Sequence, residues 1–117
     1  MDFTLQIDTD YSPQEASEVI RSALEHEKHL AKYKVYRYSI ICDEFEDQYD
    51  LISTEFMQKF EAGELIDDEK YFDWYAAKRG LDHWKKKLTV LECVRFYDQW
   101  PFLQLPLKFH YISDNLT

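Results

Sequence analysis

The sequence predicts an all-α, or nearly all-α, fold: a long antiparallel helical hairpin with a short helix at its turn. Three observations support this. The 117 residues include only two Gly and three Pro. Two long segments carry apolar residues at three- and four-residue spacing. A short amphipathic segment that ends at Gly63 separates them. Short extended strands are expected at both termini. The length suits a single domain, residues 1–117, with a modest core.

The first long helix is expected over residues 12–50, after an extended segment at residues 1–11. Phe3 to Ile7 alternate apolar and polar side chains, a pattern typical of a half-buried strand. Ser12-Pro13-Gln14-Glu15 then forms a capping box, with proline at the first helical position. Neither Gly nor Pro interrupts the chain from there to Asp50. The helix can therefore run without a break over this whole span.

A short helix is expected over residues 54–63. Ser53 or Thr54 would cap its first turn, and Gly63 suits the left-handed stop that follows it. Its apolar face is predicted to consist of Phe56, Met57 and Phe60. This helix would lie at the turn of the hairpin.

The second long helix is expected over residues 67–97, with Asp67 or Asp68 as its cap. Gly80 lies in its middle, where glycine costs about 1 kcal/mol relative to alanine. That cost suggests that a neighbouring backbone or aromatic ring approaches closely there. The apolar seam, of coiled-coil type, consists of Trp74, Ala77, Leu81, Trp84, Leu88 and Leu91.

Residues 98–117 are predicted to form an extended tail. Pro101 and Pro106 exclude a helix, and apolar residues alternate between Leu103 and Tyr111. This pattern predicts an edge strand. It could pair with Phe3 to Ile7 or add itself to the sheet of a partner protein.

The charge is concentrated in one segment, residues 43–73, which we call the acidic turn. It holds twelve acidic residues and two lysines, whereas the whole chain has a net charge of -9. Because phosphate neutralisation drives most non-specific nucleic-acid binding, direct nucleic-acid binding is not expected. A basic protein is the better candidate partner. The plainer interpretation is a solvated turn that aids solubility.

One pair of residues could support catalysis. Arg21 and His26 match the R-x4-H spacing of HEPN-type ribonucleases, which are also helical bundles. In such an enzyme the arginine would stabilise phosphoryl charge while the histidine acts as general acid or base. The two residues are five apart, which is not ideal for sharing a helix face. A solvated helix face is the simpler interpretation.

No cofactor or metal is expected. His26 and His29 could share a metal, but no second His-x-x-His or Glu-x-x-His completes a site. Phosphate-binding loops and nucleophile motifs are likewise missing from the sequence. Cys42 and Cys93 are expected to be reduced, buried thiols. No apolar run in the sequence is long enough to span a membrane. A cytoplasmic protein without a signal peptide is expected.

The segment FMQKFEAGELIDDEKYFDWYAAKRGLDHWKKKL resembles small helical proteins on the antitoxin side of prokaryotic toxin–antitoxin modules. The matching positions are Phe56, Lys59, Phe60, Glu61, Gly63, Glu64, Leu65, Asp67, Asp68, Phe72, Trp74 and Tyr75. The resemblance covers about a third of the chain. The resemblance implies a helical hairpin and neutralisation of a toxin, and it implies no catalytic residue.

These observations predict a non-enzymatic protein-binding module, antitoxin-like, that sequesters a basic partner. The predicted binding residues are Asp67, Asp68, Glu69, Tyr71, Trp74, Tyr75, Leu105 and Phe109. The acids would steer the encounter, and the aromatic residues and tail would anchor the complex. Two alternatives stay open: a HEPN-like ribonuclease using Arg21 and His26, and a structural homodimer that self-associates through the Trp74 to Leu91 seam.

Overall fold

The computed structural model describes residues 1–66 and 68–96 of the chain. These residues form three helices: α1 (Pro13–Tyr49), α2 (Ser53–Glu61) and α3 (Glu69–Glu92). The predicted helical character is confirmed. Residues 98–117, for which an extended tail and an edge strand are predicted, lie outside the described residues.

Helix α1 begins and ends at clear signals in the sequence. The Ser12 hydroxyl accepts a hydrogen bond from the Glu15 backbone N–H at 3.1 Å, and Pro13 opens the helix. At the other end Asp50 adopts the left-handed conformation, with φ of 52°. Aspartate is one of the few non-glycine residues that tolerate this region. The 37 residues between these signals make a rod about 55 Å long.

Helix α3 packs antiparallel against α1. Near the turn Phe45 stacks on Trp74, with ring centroids 5.5 Å apart. Farther along the hairpin the Lys87 ammonium pairs with the Glu27 carboxylate of α1 at 3.0 Å. The core between the two helices includes buried residues of both, namely Ala31, Cys42, Trp74, Ala77, Leu81 and Leu91. Most of the predicted seam of α3 is thus used inside the hairpin.

The predicted N-terminal strand is not seen. Phe3 to Ile7 form no strand among the residues that the structure describes, and Phe3 and Leu5 are largely exposed. Period-two alternation supplies only one apolar face, and a strand also needs a neighbour with which to form a hydrogen-bond ladder. None of the described elements offers a strand edge to this segment.

The third helix is shorter than expected. Its regular hydrogen bonding ends at Glu92, where Cys93 forms the C-cap, rather than near residue 97. Beyond Cys93, Val94 donates its backbone N–H to Leu91, a tighter turn that commonly closes a helix. The Arg21 guanidinium, in the N-terminal part of α1, lies over the ring of Phe96, so this part of α1 lies beside non-helical chain.

Candidate protein-binding surface

An aromatic cluster holds the turn end of the hairpin together. The Trp74 indole lies almost parallel to the Phe56 ring, with centroids 3.9 Å apart and an interplanar angle of 6°. Both side chains have no exposed surface. Phe45 covers another part of the indole from α1, so rings from all three helices meet there. Stacked rings contribute about 0.5–1.5 kcal/mol each beyond their buried area, which makes this end rigid.

A short hydrogen-bond chain fixes the orientation of the indole. The buried Trp74 Nε1–H donates to Ser53 Oγ at 2.9 Å. The Ser53 backbone N–H in turn donates to the Glu46 carboxylate of α1 at 2.8 Å. A carboxylate at a helix N-terminus is stabilised by the unsatisfied N–H groups there. Glu46, Ser53 and Trp74 therefore tie the three helices together at one point.

This chain explains why α2 is capped differently from the prediction. The N-cap of α2 is Ile52, which offers no side-chain oxygen, and Ser53 is the first helical residue. The Ser53 hydroxyl accepts the hydrogen bond of the Trp74 indole, and the Glu46 carboxylate of α1 accepts the Ser53 backbone N–H. Sequence reasoning missed Glu46 because its partner is seven residues away and belongs to another helix.

A second aromatic layer lies nearer the surface. Phe60 contacts Tyr75 at a centroid distance of 4.9 Å and meets Phe72 edge-on at 5.4 Å. The Tyr75 hydroxyl donates to the Glu61 carboxylate at 3.3 Å and accepts from the Arg79 guanidinium at 3.1 Å. Phe72 remains 56% exposed despite its contact with Phe60. Phe72 is thus an exposed apolar ring that packs against Phe60 on one side.

Two isoleucines add to this exposed apolar surface at the turn. Ile66, just before α3, is 88% exposed, and Ile52, at the start of α2, is 54% exposed. With Phe72 they form a set that we call the turn apolar residues. Exposed large apolar side chains beside a rigid element are typical of protein interaction sites.

These residues belong to the acidic turn, whose carboxylates stay largely uncompensated. In the part of the chain that the structure describes, the ion pairs are Lys28–Glu25, Lys78–Asp82 and Lys87–Glu27. None of them includes an acid of residues 43–73. The hydrogen bonds that Glu46, Glu61 and Asp68 accept come from neutral groups. The negative field at this end is therefore available to a partner.

The structure places two of the three predicted acidic binding residues, Asp68 and Glu69, at the start of α3. Asp68 is the N-cap of α3, and its carboxylate accepts the Lys70 backbone N–H at 3.0 Å. Glu69 occupies the first turn and is exposed. Asp67 lies outside the described residues, as do the predicted tail residues Leu105 and Phe109.

The predicted aromatic anchors differ in their exposure. Tyr71 and Tyr75 are half-buried. Trp74 is completely buried, so its assignment as an exposed anchor was wrong. Its place in the three-four seam had already indicated a core position, and the exposed ring is Phe72, two residues earlier and off the seam. Phe72 was therefore identifiable from the same periodicity.

The alternative catalytic pair does not converge. Residues five apart on an α-helix project about 140° from each other around its axis. The Arg21 guanidinium lies over the Phe96 ring, 4.3 Å from its centroid, whereas His26 is exposed on α1. A phosphate held by Arg21 would thus lie on a different side of the helix from the imidazole of His26.

The thiol Cys42 lies beneath a small polar groove where the three helices meet. The groove has a volume of about 250 Å³ and is lined by Ser39, Cys42, Asp43, Glu46, Ser53, Thr54, Lys78, Leu81 and Lys85. Burial raises the pKa of the Cys42 thiol, and its hydrogen bond with Ser53 opposes this only in part. Cys42 therefore stays protonated near neutral pH, whereas Cys93 is exposed.

No metal-binding cluster of three or more His, Cys, Asp or Glu side chains occurs among residues 1–66 and 68–96. Over the same residues, no helix combines the length and the apolar character needed to cross a membrane. No family model, curated protein or solved structure matches this chain.

Proposed function

We propose that this chain is a non-enzymatic protein-binding module, antitoxin-like in its action, that sequesters a basic protein through the acidic turn. One observation carries the proposal: the acids of the turn form no ion pair among the described residues, and the exposed turn apolar residues lie in the same segment. Charge of one sign steers a partner of the opposite sign, and apolar contacts hold it once it has docked.

The rigidity of the turn end supports this proposal. Binding costs less when the surface is already ordered, because fewer side chains lose freedom on association. The Phe56–Trp74 stack and the Glu46–Ser53–Trp74 hydrogen-bond chain fix α2 on the hairpin before any partner arrives. The backbone of α2 is thereby held in place on the hairpin.

The chemistry of the partner follows from the surface. A dense array of exposed carboxylates resembles a run of phosphates, so a basic protein that acts on RNA is the partner class that we propose. The resemblance of residues 56–88 to antitoxin-side proteins points to the same class. We place the complex in the cytoplasm, where exposed thiols such as Cys93 stay reduced.

The alternative of a homodimer through the α3 seam is less well supported. Trp74, Leu81 and Leu91 are buried against the rest of the hairpin. Sharing them between two copies would require the hairpin to open, at the cost of its core.

The proposal is tested by affinity capture from the native host at low salt, followed by titration of the purified captured protein against matched variants. The turn variant carries Glu64→Lys and Glu69→Lys, which spare the Asp68 cap. The control variant carries Glu18→Lys and Glu92→Lys at the opposite end of the hairpin, where both residues are exposed. The two variants have the same net charge.

We expect a basic partner that the turn variant binds about tenfold or more weakly, mainly through slower association, while the control binds normally. Binding of the original chain should also weaken steeply with salt. Equal affinity of both variants and the original chain, or a partner without basic character, would refute the proposal.

A further inference from the structure

Helix α1 has a long exposed face that none of the described elements covers. Ala31 and Cys42 are buried against α3. Residues 33, 36 and 40 lie between about 140° and 200° around the helix from Ala31, so they project away from α3. Tyr33 is 56% exposed and Tyr36 is 63% exposed. Tyrosine is enriched at protein interfaces because its ring packs while its hydroxyl bonds.

The charges on this face are separated along the helix. Its N-terminal half carries exposed basic or imidazole side chains, and its C-terminal half carries exposed acids. The first group is His26, His29 and Lys32, and the second is Asp43, Glu44 and Asp47. The two tyrosines and Arg37 lie between them. None of these residues takes part in the three ion pairs of the described chain.

This face of α1 is complementary to the same face of a second copy related by a two-fold rotation. A two-fold axis between residues 36 and 37 places His29 of one copy opposite Glu44 of the other, and His26 opposite Asp47. Lys32 then lies within one helical turn of Asp43. At each end the imidazole N–H groups can donate to carboxylates and Lys32 faces the opposite charge of Asp43, so the two ends are equivalent, as an isologous interface requires.

The centre of this arrangement is also complementary. The same axis places Tyr33 opposite Ile40 and Tyr36 opposite Arg37. Guanidinium groups stack favourably on tyrosine rings. The overlap from residue 26 to residue 47 extends over about 33 Å of helix.

We infer that two copies of this chain associate antiparallel through this face of α1. The contact uses Asp43, Glu44 and Asp47 of the acidic turn but leaves Glu64, Glu69, α2, the Asp68 cap and the turn apolar residues uncovered. The basic partner proposed above would dock on this remaining part of the turn. The occupant is a second copy because a single rotation places donor groups opposite carboxylates at both ends and pairs the tyrosines at the centre.

Two charge-swapped variants test the inference. Variant A carries Glu44→Lys and Asp47→Lys, and variant B carries His29→Glu and Lys32→Glu. Variant A alone would remove the carboxylates that face the imidazoles and put lysines in their place, and variant B alone would put carboxylates opposite carboxylates. A mixed pair of A and B would place opposite charges at both ends. The Glu64→Lys and Glu69→Lys variant is the control, because it changes charge away from this face. Masses are measured by sedimentation equilibrium at low salt over a wide concentration range.

We expect the original chain and the control to reach twice the mass of one chain at high concentration. A and B alone should associate about tenfold or more weakly, and their mixture should recover the heterodimer. Circular dichroism of A and B should show unchanged helix content, since the substituted residues are exposed.

A chain that remains monomeric at every concentration would overturn the inference. So would a dimer that A, B and the control form equally well, because another face would then be responsible. Neither result bears on the acidic-turn proposal, which depends on capture of a basic partner and on Glu64 and Glu69.

Discussion

The ring of Tyr38 on α1 lies directly against the backbone of Gly80 on α3. A Cβ atom built at Gly80 would stand 2.8 Å from Tyr38 Cζ and within 3.0 Å of two further ring atoms. The close ring approach that the sequence suggested at this glycine is therefore confirmed. Tyr38 also packs on the core residues Cys42, Ala77 and Leu81. The ring has little freedom to withdraw.

Replacing Gly80 by alanine should destabilise the protein, although alanine is the better helix former by about 1 kcal/mol. Overpacking costs about 1–3 kcal/mol, so after the gain in helix propensity we expect a net loss of up to about 2 kcal/mol in the free energy of unfolding. In a Tyr38→Ala background the same substitution should stabilise the fold by about 0.5–1 kcal/mol. Urea denaturation followed by circular dichroism measures both effects. Stabilisation in both backgrounds would show that the ring is not confined.

Removing the Ser53 hydroxyl should leave the buried Trp74 indole without its acceptor. We expect Ser53→Ala to lower the free energy of unfolding by about 1–3 kcal/mol. The loss should be clearly smaller in a Trp74→Phe background, where no indole N–H remains. Thr54→Ala is the matched control, since the neighbouring hydroxyl is exposed and should matter by less than about 0.5 kcal/mol. Equal losses for Ser53→Ala in both backgrounds would contradict a role for this hydrogen bond.

The two thiols should react at very different rates. Cys93 is exposed, whereas Cys42 is 2% exposed and burial raises its pKa. Because the thiolate is the reactive form, iodoacetamide should modify Cys93 promptly and Cys42 only when the hairpin opens. Mass spectrometry of tryptic peptides over time measures both rates. Comparable rates in the folded chain would show that Cys42 is accessible.

The raised pKa of Cys42 also predicts a dependence of stability on pH. From about pH 8.5 upward, the unfolded chain loses its thiol proton before the folded chain does. The folded chain then binds more protons, so its stability falls as pH rises through this range. We expect Cys42→Ala to show a shallower decline than the original chain in urea denaturation at alkaline pH. Parallel declines would indicate that other groups account for it.

Substitutions at Phe72 and Trp74 should have different effects on partner binding and on the free energy of unfolding. Phe72→Ser removes an exposed ring of the turn apolar residues, so we expect weaker binding of the basic partner with a change in stability of about 1 kcal/mol or less. Trp74→Ala removes a fully buried ring and should cost about 3–5 kcal/mol. Titration calorimetry and urea denaturation measure the two quantities. Normal partner binding by Phe72→Ser would remove this ring from the proposed surface.

Local signals in the sequence determined the helices. These signals are the Ser12 cap with Pro13, the uninterrupted run to Asp50 and the three-four seam of α3. Each depends on residues close together in the sequence, so it can be recognised without knowledge of the tertiary structure. Trp74 as core and the aromatic approach at Gly80 follow from the same short-range rules. The strand predicted for Phe3 to Ile7 was not found, because a strand depends on a neighbour that its own alternation cannot specify.

The tertiary structure alone decided how these pieces combine. The turn between α1 and α2 brings Glu46 to the start of α2. The packing of α3 on the other two helices gives the buried indole of Trp74 its acceptor in Ser53 and exposes Phe72 instead. The sequence determined which faces are apolar and where the charge is concentrated. Which groups meet across the helices depended on their register, because contacts between distant residues follow from packing geometry, whereas periodicity and caps are properties of neighbouring residues.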